Sequence, residues 1–373
     1  MLRIEEVQTS KDVKTFFKFP IKLHQNDPNF VPQLNTEESS IFSLNKNDCF
    51  NFCDVYRYLV YDNQKVVGRF AIIINNRYND TYNKKELRFT RLDLINDKYV
   101  FDIIYDKLRE VANEHNIDTI IGPFGFSTMD YNGLLIDGFE KMGTCFSNCC
   151  NEYVKNYLLD NKFVIDEELS MLELDIRSYD DPRYNMMENY LLKNYGLEIV
   201  KPDNDNKLLQ MISESMELSN EINETHLSEY HYLSFTKKQI HDLSAFLMEL
   251  TYYDYTVGVY KDGKMIGFAL AIPGLARALQ KSKGSIGPIT SIKLRNALKQ
   301  NLIIDFPILN VSRKYKDLGI ESLLFINLLR KFKDNGVKKI YTKPVNVKEF
   351  PIEILNGYTF KEYKRFGIFK ISK

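Results

Sequence analysis

The 373-residue chain has no tryptophan, only five cysteines and no long apolar run. It therefore lacks the run of about 18 apolar residues that a membrane span needs. The acidic opening MLRIEEVQTSKDV differs from the basic and apolar start of a signal peptide. A small, odd number of cysteines does not make a disulfide framework. We expect a cytoplasmic globular protein with reduced thiols, whose 24 Tyr and 25 Phe supply the large aromatic packing groups.

Several catalytic motifs are also missing. The sequence contains no G-x-S-x-G elbow, no P-loop G-x-x-x-x-G-K-[ST] and no H-E-x-x-H helix. The cysteine spacings, C-x3-C from Cys49 and C-x3-CC from Cys145, lack the paired C-x2-C knuckles of structural zinc sites. These absences argue against a serine hydrolase, a P-loop nucleotidase and a zincin, and we expect no metal site.

The zero net charge hides an uneven distribution along the chain. Residues 277–373 carry 21 Lys and Arg against 7 Asp and Glu, a net charge of +14. Because the whole chain holds 50 of each sign, residues 1–276 carry −14. The basic segment predicts an anionic ligand, with tRNA contact as one alternative and a solvated surface as another.

An internal repeat at a spacing of 199 residues divides the chain. Val60–Gly68 (VYDNQKVVG) corresponds to Val259–Gly267 (VYKDGKMIG), and each predicts a β-hairpin with a polar turn. A chain of this length exceeds what one core usually organises. We therefore predict two domains, residues 1–177 and residues 178–373, with the boundary in a polar stretch.

Each copy predicts a similar order of elements around its hairpin. In the second copy a strand at 197–200 precedes helices at 207–221 and 237–250, and the hairpin follows. Next come a strand at 302–311, a helix at 320–334 and a strand at 339–342. The fold class is α/β (α+β), with a mixed central sheet flanked by helices in each copy.

This order resembles the GNAT acyltransferase fold, here present twice. The chain also resembles a family of uncharacterised bacterial tandem GNAT-like proteins along nearly its whole length. The residues that carry the resemblance are Asp27–Leu34, Gly122-Pro123 with the loop to Phe139, Gly267–Leu270 and Gly319-Ile320. The resemblance implies acyl transfer, with acetyl-CoA or another acyl-CoA as co-substrate.

GNAT enzymes bind the coenzyme pyrophosphate at a glycine-containing turn before a helix, because backbone N–H groups there attract phosphate. The corresponding turn of the second copy is Lys316–Glu321 (KDLGIE). Lys316, Leu318, Gly319 and Ile320 are the candidate coenzyme-binding residues, although Glu321 competes for the phosphate position. The first copy has no glycine between its strand and helix, so it is predicted to lack this loop and to have a structural or substrate-shaping role instead.

The resemblance also directs attention to acid–base groups. The usual tyrosine position falls near Ile354-Leu355, which carries no proton donor, and Tyr358 is out of register. Asn346 matches an asparagine just beyond the fifth strand; it is a catalytic candidate, with a helix N-cap as the alternative. The glycine-rich loop after residue 121 offers Ser127 and Asp130 as amine-binding candidates, Asp130 also as a catalytic candidate. A turn or cap role is the alternative for Asp130.

We predict an N-acyltransferase that moves an acyl group from acyl-CoA to the amine of a small molecule. Two other functions stay open at this point. One is a non-catalytic GNAT-like binding or scaffold protein, suggested by Glu321 and the missing tyrosine. The other is an aminoacyl-tRNA-dependent peptidyl transferase, suggested by the basic segment of residues 277–373.

Overall fold

A computed structural model of the chain describes residues 1–176, 181–224, 232–285, 302–348 and 350–372. The predicted boundary at residues 177 and 178 lies outside these residues, as does much of the basic insertion after Gly284. In chain order the elements are β1 (Leu2–Glu6), α1 (Ser10–Leu23), α2 (Asn35–Ile41), β2 (Cys53–Asp62), β3 (Lys65–Asn75), α3 (Asn76–Tyr82), β4 (Glu86–Leu94), α4 (Lys98–Glu114), β5 (Thr119–Gly122), β6 (Leu134–Asp137), α5 (Glu152–Asp160), β7 (Val164–Asp175), α6 (Arg183–Tyr195), β8 (Leu197–Val200), α7 (Asp205–Glu224), α8 (Lys237–Leu250), β9 (Thr256–Lys261), β10 (Lys264–Pro273), α9 (Ala276–Ser282), β11 (Ile303–Val311), α10 (Ile320–Asp334), β12 (Lys339–Thr342), β13 (Glu353–Leu355), β14 (Tyr358–Thr359) and β15 (Lys361–Ser372).

The chain forms two compact units that are not simple halves of the sequence. The first unit contains residues 1–171, 276–287 and 363–373, and the second contains residues 172–275 and 288–362. Strand β7 therefore belongs to the first unit up to Met171 and to the second from Leu172.

The two units have the same strand order. In the first unit β1, β2, β3 and β4 are antiparallel neighbours, β4 pairs in parallel with β5, and β15 pairs antiparallel with β5 and β6. In the second unit β8, β9, β10 and β11 are antiparallel neighbours, β11 pairs in parallel with β12, and β7 closes the sheet antiparallel to β12. The predicted mixed sheets with flanking helices are confirmed.

The repeated hairpins keep their detail in three dimensions. The β9–β10 turn holds Asp262 at φ 50° and Gly263 at φ 75°, the left-handed conformation that the Asp-Gly pair predicts. Both hairpins also contain a register shift of one residue, beside Gly68 in the first unit and Gly267 in the second. The repeat is therefore structural as well as sequential.

Helices with strong local signals begin and end where the sequence predicts. Helix α8 starts at a capping box in which Thr236 and Gln239 bond each other's backbone N–H. Most residues of helix α10 are buried, Leu323 and Phe332 among them, and the helix lies in the core of the second unit. After β12, residues 353–359 form the small β13–β14 hairpin, and β15 follows as one strand.

Candidate functional site

The first unit contains a cleft where two parallel strands part. Strand β4 pairs with β5 only over Glu86–Arg88, and beyond Phe89 no strand of the described residues pairs with that edge. The cleft has an empty volume of about 680 Å³, counting the solvent at its open mouth. Its walls come from α1, α2, β3, β4, residues 30–35 and the segments around Gly133 and Cys149.

A β-bulge in β4 lies beside this cleft. Arg69 is opposite Asp93 and Ala71 is opposite Thr90, so the two residues of β4 between these pairs lie opposite one residue of β3. Arg91 lies inside the bulge with φ 54°. The second unit repeats the device, because Leu270 is opposite Ile308 and Ile272 is opposite Asp305. Both units therefore have a bulged strand beside a parting parallel strand.

A buried arginine in this bulge forms ion pairs with two carboxylates. Arg91 Nη2 lies 2.7 Å from Glu38 Oε1 and 2.8 Å from Asp130 Oδ1, and its side chain is 1% exposed. Its Nη1 also donates to Thr90 Oγ1 at 2.9 Å. The two carboxylates raise the pKa of Arg91 although burial alone lowers it. A buried charge needs such partners, and here they tie α2 and the 122–133 loop to β4.

A second ion pair lies in the same cleft. Arg69 Nε donates to Asp93 Oδ2 at 2.7 Å, and Arg69 Nη1 donates to the carbonyl of Phe16 at 2.9 Å. Burial raises the pKa of Asp93, but the interactions of the carboxylate with Arg69 and His24 together outweigh burial, and the pKa is lowered overall. Asp93 therefore stays ionised in the cleft wall at neutral pH.

Glu37 lies next to the ion pairs of Arg91, and its pKa is raised, whereas that of Asp93 is lowered. The Tyr131 hydroxyl donates to Glu37 Oε2 at 2.5 Å. Burial, with Glu38 and Asp130 nearby, raises the pKa of Glu37 from 4.5 to about 8. The carboxyl is therefore mostly protonated at neutral pH.

We expect Glu37→Gln to flatten the pH dependence of stability. The folded protein holds a proton on Glu37 between pH 4.5 and about 8 that the unfolded chain releases, so the wild type loses stability as pH rises across this window. Glutamine keeps an acceptor for Tyr131 and does not titrate. The variant should gain at least about 1 kcal/mol over wild type at high pH and nothing at low pH.

Urea unfolding at several pH values from 4 to 9 measures this difference. Glu140→Gln is the matched control, because Glu140 is 73% exposed in the same unit. Parallel pH curves for wild type and Glu37→Gln would contradict the assignment of a protonated Glu37.

The predicted amine-binding pair organises the 122–133 loop. Asp130 accepts hydrogen bonds from the backbone N–H of Phe126 (3.1 Å) and Tyr131 (2.7 Å) besides its ion pair with Arg91. Ser127 Oγ accepts from the backbone N–H of Met129 at 3.2 Å. Neither residue is among those that line the cleft. Asp130 therefore makes the turn contacts of the alternative interpretation and contacts the cleft through Arg91, and the amine-binding role of Asp130 and Ser127 stays a prediction.

The predicted coenzyme turn lies at the start of α10 in the second unit. Gly319 is the N-cap residue at φ 78°, and among the described atoms a Cβ there would meet only Leu191 Cδ1, at 3.7 Å. Lys316 is exposed, Leu318 and Glu321 are half-buried, and Ile320 is buried against Gly267. Burial raises the pKa of Glu321, and the nearby charge of Asp317 adds to this effect.

In the corresponding turn of the first unit, the side chain of one turn residue occupies the N-terminus of the helix. Asp97 caps α4, and its Oδ1 accepts from the backbone N–H of Tyr99 at 2.9 Å. A carboxylate already lies where a phosphate would accept hydrogen bonds. The Asp97 cap is therefore a physical reason to expect that this copy lacks a coenzyme loop, which stays a prediction.

The two residues of the second unit considered for acid–base chemistry are Asn346 and Tyr358, and the structure shows their contacts. Asn346 Oδ1 accepts from the backbone N–H of Lys348 at 3.0 Å in a turn, without a helix following. Tyr358 is buried, with its ring 5.8 Å from that of Phe325. Neither contact identifies a proton donor, and the role of Asn346 stays a prediction.

The sequence analysis missed the charged residues of the cleft. Strand β4 is buried at every position, yet it contains Arg88, Arg91 and Asp93. Charged residues inside an otherwise apolar strand are a signal, because buried charges must be paired. The charged partners of Arg91 and Asp93 lie 24 to 53 residues away in the chain, which no local pattern reveals.

Comparison with known proteins agrees with this architecture. No protein-family model matches the chain. A solved structure described as a tandem GNAT protein from the clavulanic acid biosynthesis pathway (without AcCoA) superposes with a TM-score of 0.57 at 12% identity, covering 100% of this chain and 98% of that one. The chain has the tandem GNAT fold.

Two curated proteins share sequence with part of the chain. Protein YghO of Escherichia coli K12 is 29% identical over 129 residues, 35% of this chain and 33% of that protein. The bacterial ceramide synthase of Caulobacter vibrioides is 24% identical over 140 residues, 37% of this chain and 36% of that protein. Each match spans about a third of the curated relative.

The described residues also bear on the membrane and thiol predictions. Within them, no helix is both long enough and apolar enough to cross a membrane. All five cysteines are among these residues, and each is a free thiol.

Proposed function

We propose that the protein is an N-acyltransferase that moves an acyl group from acetyl-CoA or another acyl-CoA to the amine of a small molecule. The observation that carries the proposal is the open glycine N-cap at Gly319, directly after a bulged and parting strand of a GNAT fold. Such a helix N-terminus attracts the coenzyme pyrophosphate, and Lys316 adds a positive charge.

The strand edge beside the turn supplies the rest of the coenzyme site. Strand β11 extends to Val311, whereas its partner β12 ends at Thr342 opposite Phe306. An amide-containing chain such as pantetheine can hydrogen-bond along a strand edge that lacks a partner. The amine nitrogen then attacks the thioester carbonyl, the C–S bond breaks, and the amine proton passes to the coenzyme thiolate.

The first-unit cleft is proposed to shape the acceptor. Its wall combines Phe17, Ile21 and Leu134 with two ion pairs, Arg91–Glu38 and Arg69–Asp93. This mixture suits an acceptor that carries both a polar and an apolar portion. Asp130 acts there as a positioning residue for Arg91, and Ser127 orders the same loop. The partial similarity to a ceramide synthase supports N-acylation, because a ceramide is an N-acylated amino alcohol.

The test compares Gly319→Asp with Gly336→Asp. Both glycines have positive φ, 78° and 69°, both have open space for a Cβ, and they lie at opposite ends of α10. An aspartate at Gly319 repels phosphate, and we expect acyl-CoA affinity to fall at least about tenfold. The Gly336 variant should bind within about twofold of wild type, since its charge lies far along the helix.

Isothermal titration with acetyl-CoA and longer acyl-CoAs measures binding, and thiol release with a panel of amines measures transfer. Equal losses in both variants, or no heat with any acyl-CoA, would contradict the coenzyme site. Binding without transfer to any amine would favour the non-catalytic binding protein. The tRNA contact of the basic segment stays a prediction.

A further inference from the structure

Three potential metal ligands converge in the first unit, next to the cleft. His24 follows the last residue of α1, Asp27 lies in the turn after it, and Cys149 lies between β6 and α5. A ring nitrogen of His24, a carboxylate oxygen of Asp27 and the Cys149 sulfur all lie within 4.8 Å of one another.

The imidazole of His24 is buried without the hydrogen bonds that a buried polar group usually makes. The residue is 3% exposed, and neither ring nitrogen is bonded within the described part of the chain. One face of the ring stacks on Phe30, with centroids 4.7 Å apart. Its nearest charged neighbour, Asp93 Oδ1, is 3.8 Å from Nε2, beyond hydrogen-bond distance. Leaving a buried polar group unpaired costs about 1–3 kcal/mol, so such a group indicates a missing partner.

We propose that His24, Asp27 and Cys149 bind a zinc ion. A nitrogen, an oxygen and a sulfur donor form a set that zinc accepts in tetrahedral geometry. With metal–ligand bonds of about 2.0–2.3 Å, ligand atoms around a tetrahedral zinc are roughly 3.4–3.7 Å apart. Cys149 Sγ and Asp27 Oδ2 are already 3.8 Å apart, and the wider pairs need to close by no more than about 1.4 Å.

The surroundings match a metal site with one open position. Three protein ligands leave the fourth position for water or substrate. Cys149 and Asp93 both line the cleft, so that position is within reach of a molecule bound there. The carboxylate of Asp93 beside the imidazole is the usual kind of outer partner for a metal-bound histidine. The positive charges near the three ligands include Lys364, which is buried and interacts electrostatically with Cys149 and Asp27, and Arg69, which pairs with Asp93.

The proposal is independent of acyl-CoA binding, so each can fail alone. Full-length protein, stripped with a chelator under reducing conditions, is titrated with zinc against a colorimetric competitor. We expect one zinc per chain. Cys149→Ser and His24→Gln should each weaken binding by at least about 100-fold, because loss of an outer partner alone costs about 10–100-fold.

The matched controls are Cys150→Ser and His241→Gln. Cys150 is the adjacent buried thiol, whose sulfur donates to the carbonyl of Leu135, and His241 is exposed on α8. Both controls should bind zinc as wild type does. Cobalt substitution gives a second readout, because a thiolate–cobalt charge-transfer band should be present in wild type and Cys150→Ser and lost in Cys149→Ser.

The wild-type titration decides the matter even if a variant fails to fold. Absence of saturable zinc binding by the stripped wild type would overturn the proposal. So would equal binding by wild type, Cys149→Ser and His24→Gln, since the zinc would then lie elsewhere. In either case the cluster is only a buried thiol–carboxylate contact.

Discussion

Replacing Arg91 with methionine should lower the free energy of unfolding by about 3–5 kcal/mol, because the change leaves buried carboxylates without their cation. Glu38 and Asp130 both contact Arg91 at less than 3 Å in the native protein. The guanidinium also lies 5.2 Å from the ring centroid of Phe42 and 5.3 Å from that of Tyr131, so packing is lost as well. Urea unfolding followed by circular dichroism measures the loss.

Two further variants separate charge from packing. Arg3→Met is the exposed control; Arg3 pairs with Glu5 at 2.7 Å on the surface, and the change should cost within about 0.5 kcal/mol. The triple variant Arg91→Met, Glu38→Gln, Asp130→Asn removes both stranded charges and should recover part of the loss. A triple variant less stable than Arg91→Met alone would show that unpaired charge is not the cause.

Adding a single methyl group at Gly122 should be nearly as damaging. Gly122 has φ 156°, and a Cβ there would lie 2.3 Å from the backbone oxygen of Phe89. Neither atom can move without separating β5 from β4, whose pairing ends just before this point. We expect Gly122→Ala to cost about 3 kcal/mol or more, at the upper end of overpacking effects.

The comparison for this variant is Gly196→Ala. Gly196 ends α6 at φ 62°, and a methyl group there would meet no described atom within 4 Å, so only the left-handed backbone opposes the change. That variant should lose about 1 kcal/mol. Equal losses measured by urea unfolding would mean that backbone conformation, rather than contact with Phe89, sets the cost at Gly122.

The features predicted from sequence are those with local causes. The limits of α8 and α10 follow from helical periodicity and capping, and the Asp262-Gly263 turn follows from backbone preference. Helix α2 was missed because Leu34 provides no side-chain cap and the helix has only seven residues. Short elements without a cap depend on tertiary contacts that a sequence window does not contain.

In the candidate site, too, the local motif could be predicted from the sequence, whereas the contacts between distant residues could not. The glycine turn before α10 is a local motif, and the sequence was sufficient to find it. The cleft in the first unit depends on pairs such as Arg91 with Glu38, 53 residues apart, and on the convergence of His24 with Cys149. Asp130 was found for its residue type and loop position, but its interaction with Arg91 required the fold.

Strand β15 belongs to the sheet of the first unit but lies at the end of the sequence, and this has a consequence for biosynthesis. Residues 369–372 of β15 pair with 119–122 of β5, about 250 positions earlier in the chain. During translation, β5 therefore leaves the ribosome long before its partner exists. The second unit's residues 172–275 and 288–362 are made in between. The first unit cannot complete its sheet until nearly the whole sequence has been synthesised, and during that interval β5 keeps an open edge toward other chains.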